Sequence, residues 1–370
     1  MKSLLRSFLL LAIFSAYTSA LFAQNSYTIS GSVFDESTNE SIIGAQVFLN
    51  GTTIGTTTRE NGDFELSGIP EGIYELVVSF LGYESQSVTF NTQNIEEDYN
   101  FVLTPTTYEM DEIVVKPDPK LWEEDFKVFK KNFLGTGPFS EDTKILNPEV
   151  LNFYYDDVAR IFTAKAYDRL IIENKALGYK IYYLLAYFEV NYAAGSNSYA
   201  GQPFFEPMQS RRRRTNNRWT KNRELAYNGS YQHFIQSLID EQVHENGFIV
   251  KAEQHKDGER YLYDRELPLS YYFTEADSST FELKFDDFLN VTYENELEDI
   301  SFLYFIRNPF DSNPRMLSQP QNSIMTILQD SVLIDKSGYI HDPLAVMCGG
   351  YWSFEKISDL LPLDYTPFEE

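Results

Sequence analysis

Cysteine is nearly absent: Cys348 is the single example in 370 residues. No intramolecular disulfide can form, so the folded state has to be held by its apolar cores. Histidine is scarce too, with four. A zinc hydrolase needs three protein ligands and an open position, supplied in metallopeptidases by a His-x-x-Glu pair with a distant His or by His-Glu-x-x-His. Three residues after His233, His244, His255 and His341 stand Gln236, Gly247, Gly258 and Leu344, so neither pattern is present. There is no Gly-x-Ser-x-Gly nucleophile turn, no phosphate-binding or dinucleotide glycine loop and no EF-hand loop. Catalytic, metal and cofactor-binding residues are therefore expected to be none. Basic residues are also short, 30 against 55 acidic for a net charge of −25, and a chain that acidic repels nucleic acid.

Two weaker chemical signals remain. Cys348 beside Gly349 and Gly350, with His341 upstream, could form a thiol–imidazole pair, but its flanks Val346, Met347 and Tyr351 read more readily as those of an inert buried thiol. A glycosidase needs two carboxylates spaced by the fold. With so many acids that pairing is unassignable, and Asp156-Asp157 and Asp286-Asp287 read as solvated strand ends.

The chain is rich in aromatics, with 26 Tyr and 29 Phe. Residues 1–23 carry Lys2 and Arg6, an apolar run from Phe8 to Phe14 and small residues up to Ala23, the pattern of a secretory leader too short to span a bilayer. No transmembrane helix is expected after its removal, and no cysteine follows the run to accept a lipid. Seven short β-rich runs follow: 27–34, 45–49, 54–58, 63–66, 73–80, 85–90 and 99–103. Asn50-Gly51 and Asn61-Gly62 sit between them as hairpin turns, and Tyr74, Leu76, Val78 and Phe80 share one face by period two. These runs predict a sandwich able to fold alone.

The order of its motifs carries a resemblance. Gly31 to Val33, Ile43-Gly44-Ala45 before Val47 to Leu49, Gly55 to Thr58 before Asn61-Gly62-Asp63-Phe64, Leu66 to Pro70, Gly72-Ile73-Tyr74 and Leu81-Gly82-Tyr83 resemble the carboxypeptidase-like regulatory domain. The resemblance implies a seven-stranded transthyretin/prealbumin-like β-sandwich on an envelope protein of a Gram-negative bacterium. Met110 to Val115 resembles the run that follows this domain in TonB-dependent outer-membrane receptors, and reads as an edge strand or as a contact for the energy transducer. Too few residues follow for the ~22-stranded barrel of such receptors.

Beyond a linker at 106–120 stiffened by Pro117 and Pro119, residues 121–370 read as one α+β domain dominated by antiparallel sheet, so the fold class is mainly β. Asp118 and Pro119 start a helix with Trp122, Phe126, Phe129 and Phe133 on one face, Glu123, Glu124 and Asp125 in its first turn and Gly135 at its end. Strands are expected at 151–155, 160–167, 170–173 and 178–192. In the last of these Tyr179, Ile181, Tyr183, Leu185 and Tyr187 line one face and Tyr182, Leu184, Ala186, Phe188 and Val190 the other. Its tyrosines read as core or as a sugar-stacking platform. Residues 193–208 lack periodicity and read as a flap, two helices follow with a break at Gly229, and strands return at 248–253, 260–264, 281–285, 290–293, 301–306, 323–328 and 331–334.

The functional reading is a non-enzymatic exported protein, in the periplasm or on the outer-membrane surface, that binds or organises a glycan or an outer-membrane or other envelope protein. The alternative is a carboxypeptidase-like or glycan-acting hydrolase with its site in the C-terminal domain. Expected contact residues are Tyr199, Phe204 and Phe205 of the flap and Arg211, Arg212, Arg213, Arg214, Arg218, Trp219, Lys221 and Arg223 of a basic helix. That helix reads first as a partner of the chain's own carboxylates and otherwise as a docking site for anionic sugar or lipid headgroups.

Overall fold

The computed structural model describes residues 26–96, 98–106, 119–257, 259–277, 280–307, 315–340 and 342–367. The leader, the run from Met110 to Val115, the helix cap at Asp118 and His341 lie outside them.

All seven strands of the sandwich form: β1 (Tyr27–Asp35), β2 (Gln46–Leu49), β3 (Gly55–Thr57), β4 (Asp63–Ile69), β5 (Ile73–Ser79), β6 (Gln86–Asn91) and β7 (Tyr99–Leu103). They make two sheets, β4-β1-β7 and β3-β2-β5-β6. The β1–β7 pair runs parallel, and the other strand pairings of the sandwich are antiparallel. Alternation fills the space between the sheets with Ile29, Val33, Val47, Leu49, Leu76, Val78, Phe101 and Leu103.

Helix α1 (Pro119–Phe133) buries Phe129 and Phe133, and Trp122 stacks on Phe126. Because the helix starts at Pro119, Glu123, Glu124 and Asp125 fall beyond its first turn, which holds no acid. The dipole therefore does not favour them as expected, and burial with Glu124 nearby raises the pKa of Asp125. The helix lies against a six-stranded sheet, β8-β11-β12-β10-β9 with β13 paired to β12. Its strands are β8 (Thr143–Ile145), β9 (Leu151–Asp156), β10 (Ile161–Ala166), β11 (Leu170–Asn174), β12 (Tyr179–Asn191) and β13 (Ser196–Pro207).

The expected flap is thus a strand: from Ser196 to Pro207 it pairs along the whole of β12. Backbone hydrogen bonds to a long neighbour hold it, and these need no apolar alternation in the sequence. The faces of β12 also differ from expectation. A bulge between Leu185 and Tyr187 shifts the register, so Phe188 and Val190 join Tyr179, Ile181 and Tyr183 in the core while Tyr187 turns outward.

Helices α2 (Arg213–Tyr227) and α3 (Tyr231–Ile239) follow, the second capped by Ser230 accepting from the His233 amide. The remaining strands are β14 (Phe248–Lys256), β15 (Glu259–Glu266), β16 (Phe273–Glu275), β17 (Thr280–Leu283), β18 (Phe288–Leu297), β19 (Pro320–Ile327), β20 (Val332–Asp335) and β21 (Val346–Gly350). They form the sheets β15-β14-β18-β19-β21 and β16-β17-β20 around a second core with Phe234, Ile235 and Leu238 of α3. Where the sequence predicts a strand at 301–306, a short helix α4 (Ile300–Phe305) forms, because Asp299 accepts from the Ser301 amide and caps it. After α5 (Tyr351–Phe354) the tail crosses back, and Ile357, Leu361 and Tyr365 complete the core beneath α1.

Candidate functional site

The outward face of the β2–β5 sheet is not free. Phe48 and Val77 are 1% and 0% exposed although neither belongs to the sandwich core. The β12–β13 hairpin lies over Phe48: the Phe204 ring is 5.3 Å from that of Phe48 and stacks 6.2 Å from that of Tyr182. A Cβ on Gly55 would come within 2.5 Å of the Phe204 ring, so only glycine admits it. Polar contacts frame this apolar centre. Glu75 accepts from Gln202 at 2.5 Å and from Tyr339 at 3.4 Å, and the Arg169 guanidinium lies 5.0 Å over the Tyr182 ring while bonding Gln46. The Gly51 amide donates to the Pro203 carbonyl at 2.8 Å and the Phe205 amide to that of Thr52 at 3.0 Å. The tail adds Asp364, which accepts from the Thr53 amide at 3.0 Å. Asp335, raised in pKa by burial, accepts from the Ile73 amide at 3.2 Å.

This interface takes Phe204 out of the set available for contact, and Phe205, on the opposite face of β13, is wholly buried in the core beneath α1. Tyr199 packs edge-on to Phe133, 5.4 Å away, and burial raises its pKa. The aromatic groups left open on the outward face are others. Tyr154 and Tyr187, 67% and 41% exposed, are in strands whose facing residues include Thr163 and Glu189, and Tyr187 donates to Glu189 at 2.7 Å. The sequence marks Tyr187 as a platform candidate, but the bulge that turns it outward is invisible there.

Helix α2 divides its residues. Trp219 is buried against Gly178, where an added Cβ would meet the indole at 2.4 Å and where φ is +74°, and its Nε1 donates to the Lys175 carbonyl at 3.0 Å. Arg223 is buried with its guanidinium 4.3 Å over Tyr179 and donates through Nε to the Leu177 carbonyl at 2.8 Å. These two hold the helix on the β11–β12 turn. Arg218 is exposed and reaches Lys175 O at 2.9 Å and Asp142 at 3.7 Å. Arg211, Arg212, Arg213, Arg214 and Lys221 are exposed.

Groups able to do chemistry lie apart. His233 is enclosed by Tyr227, Phe248 and Tyr293, its Nδ1 accepts from the Gly229 amide at 3.1 Å, and burial lowers its pKa to about 4. Glu253 accepts from His255, Arg260 and Asn290 at 2.7, 2.6 and 3.0 Å. Burial would raise its pKa, but those hydrogen bonds prevail and hold it lowered. Cys348 faces the second core, and burial pushes its thiol up to about 12, which suppresses the nucleophilic thiolate. Among the described residues no group of three or more His, Cys, Asp or Glu could hold a metal ion. His244 lines a solvent-open groove of about 360 Å³ with Glu241, Glu245, Arg265 and Glu266. Among the described residues no helix is long and apolar enough to cross a membrane.

Residues 29–115 match the family model described as the CarboxypepD_reg-like domain. The chain is 42% identical over 94 residues to the TonB-dependent receptor SusC of Bacteroides thetaiotaomicron, which covers 25% of this chain and 8% of that protein. It therefore spans less than a tenth of the curated relative it matches. Among solved structures, a cohesin–X-dockerin complex from Acetivibrio cellulolyticus is 24% identical over 20% of this chain and 51% of its own, with a TM-score of 0.18. A streptococcal ancillary pilin is 18% identical over 23% of this chain and 30% of its own, with a TM-score of 0.20. TM-scores this low establish no common architecture. The N-terminal sandwich is a CarboxypepD_reg-like domain, joined to an extension that the family model does not cover.

Proposed function

We propose that this chain is an exported protein of the Gram-negative envelope that binds or organises a partner, a glycan or an outer-membrane protein, instead of turning over a substrate. The observation that carries the reading is the 42% identity of its CarboxypepD_reg-like region to part of a TonB-dependent receptor. The packing supports it. The sandwich is fixed on the β12–β13 hairpin through Phe48 and Glu75 against Phe204 and Gln202, leaving the far half of the same sheet face, with Tyr154 and Tyr187, open beside it. An amphipathic ring next to polar groups suits the face of a sugar or a protein partner.

A glycan panel and a detergent-solubilised envelope fraction passed over the immobilised full chain test this. The expected result is retention of a defined glycan or outer-membrane protein, weakened at least about tenfold by Tyr154→Ser with Tyr187→Ser, the loss of about 1.4 kcal/mol. Retention of nothing, or retention indifferent to both tyrosines, overturns it.

A second reading, a hydrolase with its site in the second half, draws on the groove where His244 meets Glu241, Glu245 and Glu266. Turnover of a peptide or glycan substrate that is abolished by His244→Ala would replace the first reading.

A further inference from the structure

The start of α2 collects cations where helix physics disfavours them. Arg211 and Arg212 precede the helix, Arg213 and Arg214 open it, and all four are exposed. The first turn holds no acid and Arg212 offers no side-chain cap, so these charges face the positive end of the helix dipole uncompensated. Carboxylates to neutralise them are plentiful in a chain of 55 acids. Yet among the described residues no ion pair involves Arg211, Arg212, Arg213, Arg214 or Lys221. A run placed against local stability and left unneutralised is a mark of a site that meets something outside the chain.

The pattern continues along the helix. Arg214, Arg218, Lys221 and Leu225 follow at spacings of four, three and four, one stripe on the side away from buried Trp219, Arg223 and Ala226. All four are exposed, Leu225 by 46%. The stripe's cations run about 10 Å along the axis, and Arg211 to Arg213 extend them at one end. So extended a set cannot converge on one small anion. It matches an array of phosphates, which guanidinium groups bind in bidentate fashion, and Leu225 adds an apolar contact at the stripe's far end. Asp142 beside Arg218 and Glu224 within the helix offset part of the stripe's charge, while acids more than ~8 Å away are screened at physiological salt.

We propose that this basic face of α2 docks the protein on an anionic phospholipid surface. The proposal goes beyond partner recognition and is separable from it, because vesicle adsorption can fail while a glycan or protein is still retained.

Co-sedimentation of the full chain, without the expected leader at 1–23, with phosphatidylcholine vesicles containing or lacking phosphatidylglycerol tests it. Binding is expected with phosphatidylglycerol alone, falling as salt rises. Arg211→Ser, Arg212→Ser and Arg214→Ser, made singly and combined in a triple variant, should each lower the partition coefficient by about fivefold, which is about 1 kcal/mol per cation at a membrane surface. The charge-matched control Lys127→Ser, Lys130→Ser and Lys131→Ser, on exposed positions of α1, should bind as the parent does. Thermal melts on both triple variants check that they stay folded. No binding to phosphatidylglycerol at low salt, an equal loss in the control, or binding to a soluble polyuronate with none to vesicles would overturn the proposal.

Discussion

The sandwich and the sheet it rests on hold themselves together in different ways. The sandwich draws its core from Ile29 to Leu103, one unbroken stretch within which all of its strand pairings close. The sheet under α1 draws on Phe129 to Phe205, then on Ala226 and Tyr227, and is completed by Ile357, Leu361 and Tyr365 after the chain has built another core in between. The first needs no residue from outside that stretch. The second requires a loop of more than a hundred residues to close before the tail contributes, a cost in chain entropy that local contacts avoid. The sandwich nonetheless has one face, Phe48 and Val77, that its own fold does not cover.

The largest effect expected from breaking this arrangement is Phe133→Ala. Its ring is fully buried and touches those of Phe129, Tyr183, Phe188 and Tyr199. Truncation should cost about 3–5 kcal/mol in urea unfolding. Hydrogen exchange should speed up in α1, β12 and β13 and stay slow in β1 and β5. Equal loosening of the sandwich strands would show that the two cores melt as one unit and that the contrast between them has no thermodynamic meaning.

A subtler test sharpens the contrast at the interface. Phe48→Ala should cost the full chain about 3 kcal/mol, as for other buried phenylalanines. In an isolated fragment of residues 24–105 the same ring would face water, and the substitution should change stability by no more than about 0.5 kcal/mol. Comparable costs in both would mean that Phe48 serves the sandwich core and not its seat on the hairpin.

The same contrast governs how much of the fold is legible in the amino-acid sequence. The sandwich strands announce themselves through Asn-Gly turns and period-two alternation, both properties of adjacent residues. The face that seats them does not: Phe48 breaks the alternation because Phe204 of a distant strand lies on it. The strand at 196–207 is hidden by its Gly, Ser, Asn and Pro content, because the complementarity that orders it belongs to β12. Ser301 to Ile306 has a strand-like composition, and the cap at Asp299 overrides it. At the candidate site, Trp219 and Arg223 read from sequence as surface members of a basic cluster. They anchor the helix instead, a role set by where the β11–β12 turn passes and by a glycine beneath the indole.

The smallest expected effect concerns the seam of the second half, where buried His233 and part-buried Asp359 respond to pH with opposite signs. His233 sits between Tyr227 of the core beneath α1 and Phe248 and Tyr293 of the other, and burial lowers its pKa from 6.5 to about 4. Its contribution is complete above pH 6.5 and is lost as pH falls toward 4, since the unfolded chain takes up the proton first. Asp359, in the tail beside Ile357 and Leu361, is raised by burial from 3.8 to about 6 despite hydrogen bonds from the Lys356 amide and the Ser358 hydroxyl. Its contribution is complete below pH 3.8 and is lost as pH climbs through 6. Between pH 4 and 6 the two slopes oppose each other. Relative to the parent, His233→Gln should gain about 1–2 kcal/mol as pH is lowered across that window, and Asp359→Asn should gain a similar amount as it is raised. Urea unfolding at a series of pH values reads both differences. Difference slopes of the same sign would show that only one of the two groups is titrated by burial, and a flat line for both would mean that water reaches the seam and that it is not a dry core.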